Sequence, residues 1–156
     1  MSDDFLGVDQ KMHEFMKNLL DAPLLTRKNL KGIPSKGVYV FYEKDKPIYV
    51  GISGKNRMKD RILGHSQKSG GPNSATFVFY IAKKEAEKNG MNTKEFTRPE
   101  IADNKEFTIL YSQAKERVSK MKVRVIEIKD PNYCALFEIY AAIVLDTLEY
   151  NSFETH

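Results

Sequence analysis

Arg57, Arg61 and His65 recur at every fourth position. On a helix that spacing makes one stripe, drifting about 40° per step. Two guanidiniums and an imidazole on an exposed face would grip a phosphate. The same stripe also reads as an ordinary solvated helix face. Glu138 interrupts the apolar run CALFEIYAAIVL. A carboxylate buried in such a helix needs a cation, hydrogen bonds or a proton. Either a buried Arg or Lys partner or a hard divalent ion such as Mg²⁺ or Mn²⁺ meets that need. Ala135, Ala141 and Ala142 leave room beside the carboxylate. Asn151 follows Glu138 by thirteen positions, and taken singly it reads as a helix C-cap. Tyr39 and Tyr49 are two phenols in neighbouring apolar runs, GVYVFY and PIYVGI. They pack as core, or they face one site.

The elements that must position these groups follow from periodicity. The two runs around Glu43-Lys44-Asp45-Lys46 predict a β-hairpin. Tyr39 and Tyr49 share a face if Tyr42 pairs with Lys46 around a three-residue loop. A helix is expected from about Arg57 to Gln67, held down by Met58 and Ile62. Val8, Met12, Phe15, Met16 and Leu19 predict an N-terminal amphipathic helix over 8–20. The segment from Ala75 to about Lys88 reads as helix or strand, with AKKEAEK favouring helix; Asn73 or Ser74 would cap it. Thr97 with Glu100, or Asp103 with Glu106, makes a capping box. Phe107, Leu110, Ala114, Val118 and Met121 stripe the helix that follows. Lys122–Ile128 alternates as a third strand. Asp130-Pro131 then opens a helix from Asn132 to about Leu148.

The triplets Gly37-Val38-Tyr39 and Tyr49-Val50-Gly51 resemble the signature of the GIY-YIG nuclease family. Arg61 and His65 match the arginine on the helix after the hairpin and the histidine one turn later, with Arg57 an equal claimant for the phosphate. Glu138 matches the family's lone glutamate on a late helix, and Tyr150-Asn151-Ser152-Phe153 its terminal asparagine segment. The resemblance covers roughly residues 36–68 and 122–154. It implies an α/β (α+β) fold with a small three-stranded antiparallel sheet flanked by helices. It also implies a metal-dependent endonuclease acting on DNA. Glu138 would bind one Mg²⁺ or Mn²⁺, and Tyr39 would act as general base or position the attacking water with Tyr49 assisting. Arg61 would stabilise charge on phosphorus, His65 orient the phosphate or relay a proton, and Asn151 order the site. An alternative of another class is a catalytically silent nucleic-acid-binding or adaptor domain on the same fold.

Charge distribution adds to this. Residues 55–68 carry Lys55, Arg57, Lys59, Arg61 and Lys68 against Asp60 alone, so Lys55, Arg57 and Lys59 are expected to bind a phosphate backbone. The whole chain is only +4, and its last 26 residues are acidic. One domain over 1–156 is expected, with 1–30 an N-terminal helical extension and 74–121 a helical insertion. No Cys/His cluster announces an appended zinc module. Target choice would then fall to these helices, a homodimer or a protein partner. A lone cysteine, Cys134, fits a reducing compartment. No run approaches the roughly 18 apolar residues of a membrane span. The opening MSDDF lacks the basic region and apolar core of a signal peptide, so a cytoplasmic location is expected.

Overall fold

Alternating apolar runs and helical stripes become ten segments of regular structure among the described residues. A computed structural model describes residues 5–66 and 76–151. Lys68 and the two cap candidates Asn73 and Ser74 lie outside the described residues. The described elements are α1 (Phe5–Asp21), a 3-10 turn (Arg27–Asn29), β1 (Gly37–Glu43), β2 (Lys46–Ser53), α2 (Met58–Gly64) and α3 (Thr76–Lys88). They continue with α4 (Arg98–Ala102), α5 (Lys105–Ser119), β3 (Lys122–Glu127) and α6 (Pro131–Val144). The class is mixed α/β: a three-stranded antiparallel sheet, ordered β2-β1-β3, flanked by helices. Two compact units share the chain, Met1–Lys59 with Lys122–His156, and Asp60–Met121.

In the first unit, Val38, Val40, Tyr42 and Val50 point to one face of the sheet and pack with Met12, Met16 and Leu19 of α1 and Cys134, Phe137, Ala141 and Ala142 of α6. Phe15 meets Phe137 edge-on at 5.6 Å. The outer edge of β3 is sealed at its start, because Leu25 and Val123 exchange both backbone hydrogen bonds, at 2.8 and 2.7 Å. Asp130 caps α6 by accepting from the Asn132 and Tyr133 N–H groups, as the Asp-Pro pair predicts. The helix stops at Val144, four residues short of the expected end. Asp146 takes a left-handed conformation (φ 56°), and the Thr147 and Asp146 N–H groups turn back onto the Ala142 and Ile143 carbonyls. That is the Schellman termination, here built without glycine.

In the second unit, α3 and α5 pack together through Phe79 and Phe107, whose ring centroids are 5.2 Å apart. The ambiguous 76–88 segment is therefore helix. α3 ends in a second Schellman motif, with Gly90 at φ 85° and the Met91 N–H on the Ala86 carbonyl. Thr97 caps α4, and its hydroxyl also donates to Glu100 at 2.9 Å. The cap of α5 is Asn104 and not Asp103: its Oδ1 accepts from the Phe107 N–H at 3.1 Å. Among the described residues no helix is long and apolar enough to cross a membrane.

One core group is poorly served. The Tyr42 hydroxyl is buried without a hydrogen-bond partner among the described residues, while the Arg124 guanidinium lies 4.8 Å from its ring centroid. A buried unsatisfied hydroxyl costs roughly 1–3 kcal/mol. Tyr42→Phe is therefore expected to keep or raise the unfolding free energy in denaturant melts. A loss above about 1 kcal/mol would show that the hydroxyl is satisfied by something the fold does not display.

Candidate active site

The hairpin turns differently from the sequence expectation. Lys44 and Asp45, at φ 50° and 67°, form a two-residue turn, so Glu43 pairs with Lys46. Positive φ at both central positions is the hallmark of the primed hairpin turn. A bulge at Ile48 then shifts the register, giving Tyr42 opposite Pro47 but Phe41 opposite Tyr49. The three-residue loop and the Tyr42–Lys46 pairing are thus corrected. A turn shorter by one residue and a bulge longer by one restore the parity of the faces. Tyr39, Phe41, Tyr49 and Gly51 still share a face, opposite to Val38, Val40 and Val50.

The new register explains the second triplet's glycine. Tyr39 lies opposite Gly51, and its ring occupies the space that a Gly51 side chain would take. The first glycine is constrained too: Gly37 sits at φ 146°, and a Cβ there would run into the Ile126 carbonyl of β3. Tyr39 has no exposed surface and stacks edge-on against Phe41 at 5.9 Å. Tyr49, two positions from Gly51 on the same face, is half-buried. Tyr39 is therefore fully enclosed and Tyr49 only partly so.

Asn151 is not a helix cap. Its Oδ1 accepts from the Val50 N–H at 2.9 Å and its Nδ2 donates to the Val50 carbonyl at 2.8 Å. The carboxamide thus pairs with the edge of β2 as another strand would, at the residue between Tyr49 and Gly51. Thr147 aims it: its hydroxyl donates to Oδ1 at 2.8 Å, and its carbonyl accepts from the Asn151 N–H at 3.0 Å. Thr147 was not singled out in the sequence. A hydroxyl four residues before an asparagine is the signal that points to it.

Glu138 sits on α6 between Cys134 and Ala142, one turn to either side, on the flank adjoining the core positions. Burial, with the Glu138 charge beside it, pushes the Cys134 thiol up to about 11 and leaves it inert. The expectation of a buried carboxylate is corrected. Glu138 is half-buried, and Leu136, Ile139 and Ile143 on the far side of the helix are exposed. The carboxylate thus escapes full desolvation and can keep water. Among the described residues no three His, Cys, Asp or Glu side chains form a metal-binding group. A single half-buried carboxylate would hold Mg²⁺ or Mn²⁺ only as an ion that keeps most of its waters.

The basic stripe is also corrected. α2 is seven residues long and begins at Met58, so Arg57 precedes it and His65 follows it; Arg61 alone of the three is helical. Ser35 fixes the turn carrying Lys55 and Arg57. Its carbonyl accepts from the Met58 N–H and the Ser53 hydroxyl, each at 3.2 Å, and its own hydroxyl donates to Asn56 at 3.1 Å. Lys55, Arg57, Lys59 and Arg61 are all exposed. His65 is not part of an open cationic face. Its ring packs edge-on against Phe77 at 5.9 Å, and burial, helped by the Arg61 charge, lowers its pKa from 6.5 to about 4. It is a neutral imidazole at neutral pH. No family model, curated protein or solved structure matches the chain.

Two outcomes are expected. Gly51→Ala should cost about 2–3 kcal/mol, the usual penalty for overpacking against a rigid neighbour. The cost should shrink in a Tyr39→Leu background, and a double-mutant cycle in chemical denaturation reads the coupling. Simple additivity would mean that the ring and the glycine are independent. His65 binds its proton more weakly folded than unfolded, so the stability it contributes is complete above pH 6.5 and disappears as pH falls towards 4. Relative to His65→Gln, the wild type should lose up to about 3 kcal/mol across that window. Parallel pH profiles for the two proteins would place the imidazole in solvent.

Proposed function

We propose that the chain is a metal-dependent endonuclease that hydrolyses DNA phosphodiester bonds. The observation that supports this best is the register of the hairpin. Two phenols share a face with the glycine that admits one of them, and the Asn151 carboxamide grips the strand between Tyr49 and Gly51. Burial divides the labour of the tyrosines. Tyr49, which reaches solvent, meets the attacking water, while Tyr39 is the enclosed partner that sets the face. Lys55, Arg57 and Lys59 hold the phosphate backbone, and the family resemblance gives Arg61 the role of neutralising the charge that grows on phosphorus. His65, being neutral and half-buried, serves as a hydrogen-bonding group and not as a cation. Glu138 would hold the Mg²⁺ or Mn²⁺, which when bound polarises a phosphoryl oxygen and stabilises the leaving one.

The second reading, a nucleic-acid-binding domain without catalysis, draws on the complete enclosure of Tyr39. Nicking of supercoiled plasmid separates the two. The nuclease reading expects cutting that requires Mg²⁺ or Mn²⁺ and stops with a chelator. Tyr49→Phe and Arg61→Ala should each slow cutting at least 100-fold, about 2.7 kcal/mol of transition-state stabilisation, while DNA affinity changes little. Lys59→Glu should instead weaken binding to all sequences alike and flatten its salt dependence. Tight, salt-sensitive DNA binding with no metal-dependent nicking would establish the silent domain.

A further inference from the structure

The outward side of α6 carries the chain's most concentrated exposed apolar surface. Leu136, Ile139 and Ile143 follow i, i+3, i+7 spacing and so form one stripe, and Val144 at the helix end and Leu148 past it are exposed as well. Their exposures are 43, 40, 59, 53 and 48%, so each leaves about half of a large aliphatic side chain in water. Isolated exposed leucines are ordinary, whereas a continuous stripe marks a docking surface. This stripe lies on the side of α6 away from Cys134, Phe137 and Ala141, which pack into the core, and away from Glu138. It is therefore spare surface that neither the core nor the candidate site uses.

Charge identifies what covers it. From Asp130 to Asn151 the chain holds four acids, Asp130, Glu138, Asp146 and Glu149, and no Lys, Arg or His. Asp130 at the start of the helix and Asp146 and Glu149 past its end repel nucleic acid and anionic membrane, and two copies of the same face would set like charges opposite one another. Spacing of three and four residues suits a second helix laid alongside, its own apolar stripe meeting this one. We infer that the outer face of α6 docks an amphipathic helix of a protein partner that flanks its apolar stripe with Lys and Arg. The inference stands apart from the nuclease reading, since it uses neither the hairpin nor the basic turn.

Synthetic helices of about five turns, or 18 residues, test it. One carries leucines at alternating three- and four-residue spacing with lysine flanks. A second replaces the lysines by glutamates, and a third scrambles the order of the first. Titration against the full chain, followed by fluorescence anisotropy, should show the lysine-flanked helix binding at least tenfold tighter than either control and weakening as salt rises. The double variant Ile139→Gln, Ile143→Gln changes two exposed positions to a good helix former, so its melting temperature should hold while that binding falls at least tenfold. Equal binding of the scrambled peptide, no binding of the lysine-flanked helix, or an unchanged affinity in the variant overturns the proposal. So does a wild-type dimer in sedimentation that the double variant dissociates, because the face then belongs to a second copy.

Discussion

The grip of the Asn151 carboxamide on Val50 is the contact on which the candidate site depends. β2 is an edge strand, and an unpaired edge residue offers a donor and an acceptor that water or a stray strand would take. Asn151 answers both from 101 residues away, with Oδ1 shared between the Val50 N–H and the Thr147 hydroxyl. Those three bonds fix which end of the amide is which: oxygen toward the N–H, nitrogen toward the carbonyl. They also tie the end of α6, and with it the helix that carries Glu138, to the middle of the Tyr49-Val50-Gly51 triplet. Because Asn151 is nearly fully buried, every one of its bonds is made where water competes least.

The second constraint is steric. Tyr39 can lie flat across β2 only because position 51 has no side chain, and β1 can approach β3 closely at Gly37 for the same reason. The two signature glycines thus do different work: one admits a ring, the other a backbone carbonyl. With Tyr39 filling the gap at Gly51, solvent is left to Tyr49, and the two phenols become chemically unequal although they share a face. Electrostatics separates surfaces in a similar way. Lys55 and Arg57 in one exposed turn and Lys59 at the start of α2 are all basic, while every charged residue from Asp130 to Asn151 is acidic, so the two surfaces differ in sign.

Much of the architecture was legible from residue patterns. The α1 stripe of Met12, Met16 and Leu19 and the Asp130-Pro131 cap behave as local physics dictates, whereas β3 forms as a strand but turns Ile126 toward the main core and leaves Val125 only half-buried. The register did not, because Lys44-Asp45 adopts a turn usually announced by Asn-Gly or Asp-Gly, and the bulge at Ile48 leaves no mark in composition. The surroundings of Glu138 were misread for a related reason: an exposed apolar stripe and a buried one have the same letters. The short α2 took Arg57 and His65 off the helix that a stripe of three required. The bond from Asn151 to Val50 spans most of the chain, so no spacing rule reaches it.

Amide exchange at Val50 tests this account most directly. An outward-facing N–H on an edge strand ordinarily exchanges fast, so protection there must come from Asn151. The account predicts slow exchange at Val50 in the wild type, and fast exchange at Val50 in Asn151→Ala while Val40 and the rest of β1 stay protected. Fast exchange at Val50 in the wild type, or protection that survives Asn151→Ala, would contradict it.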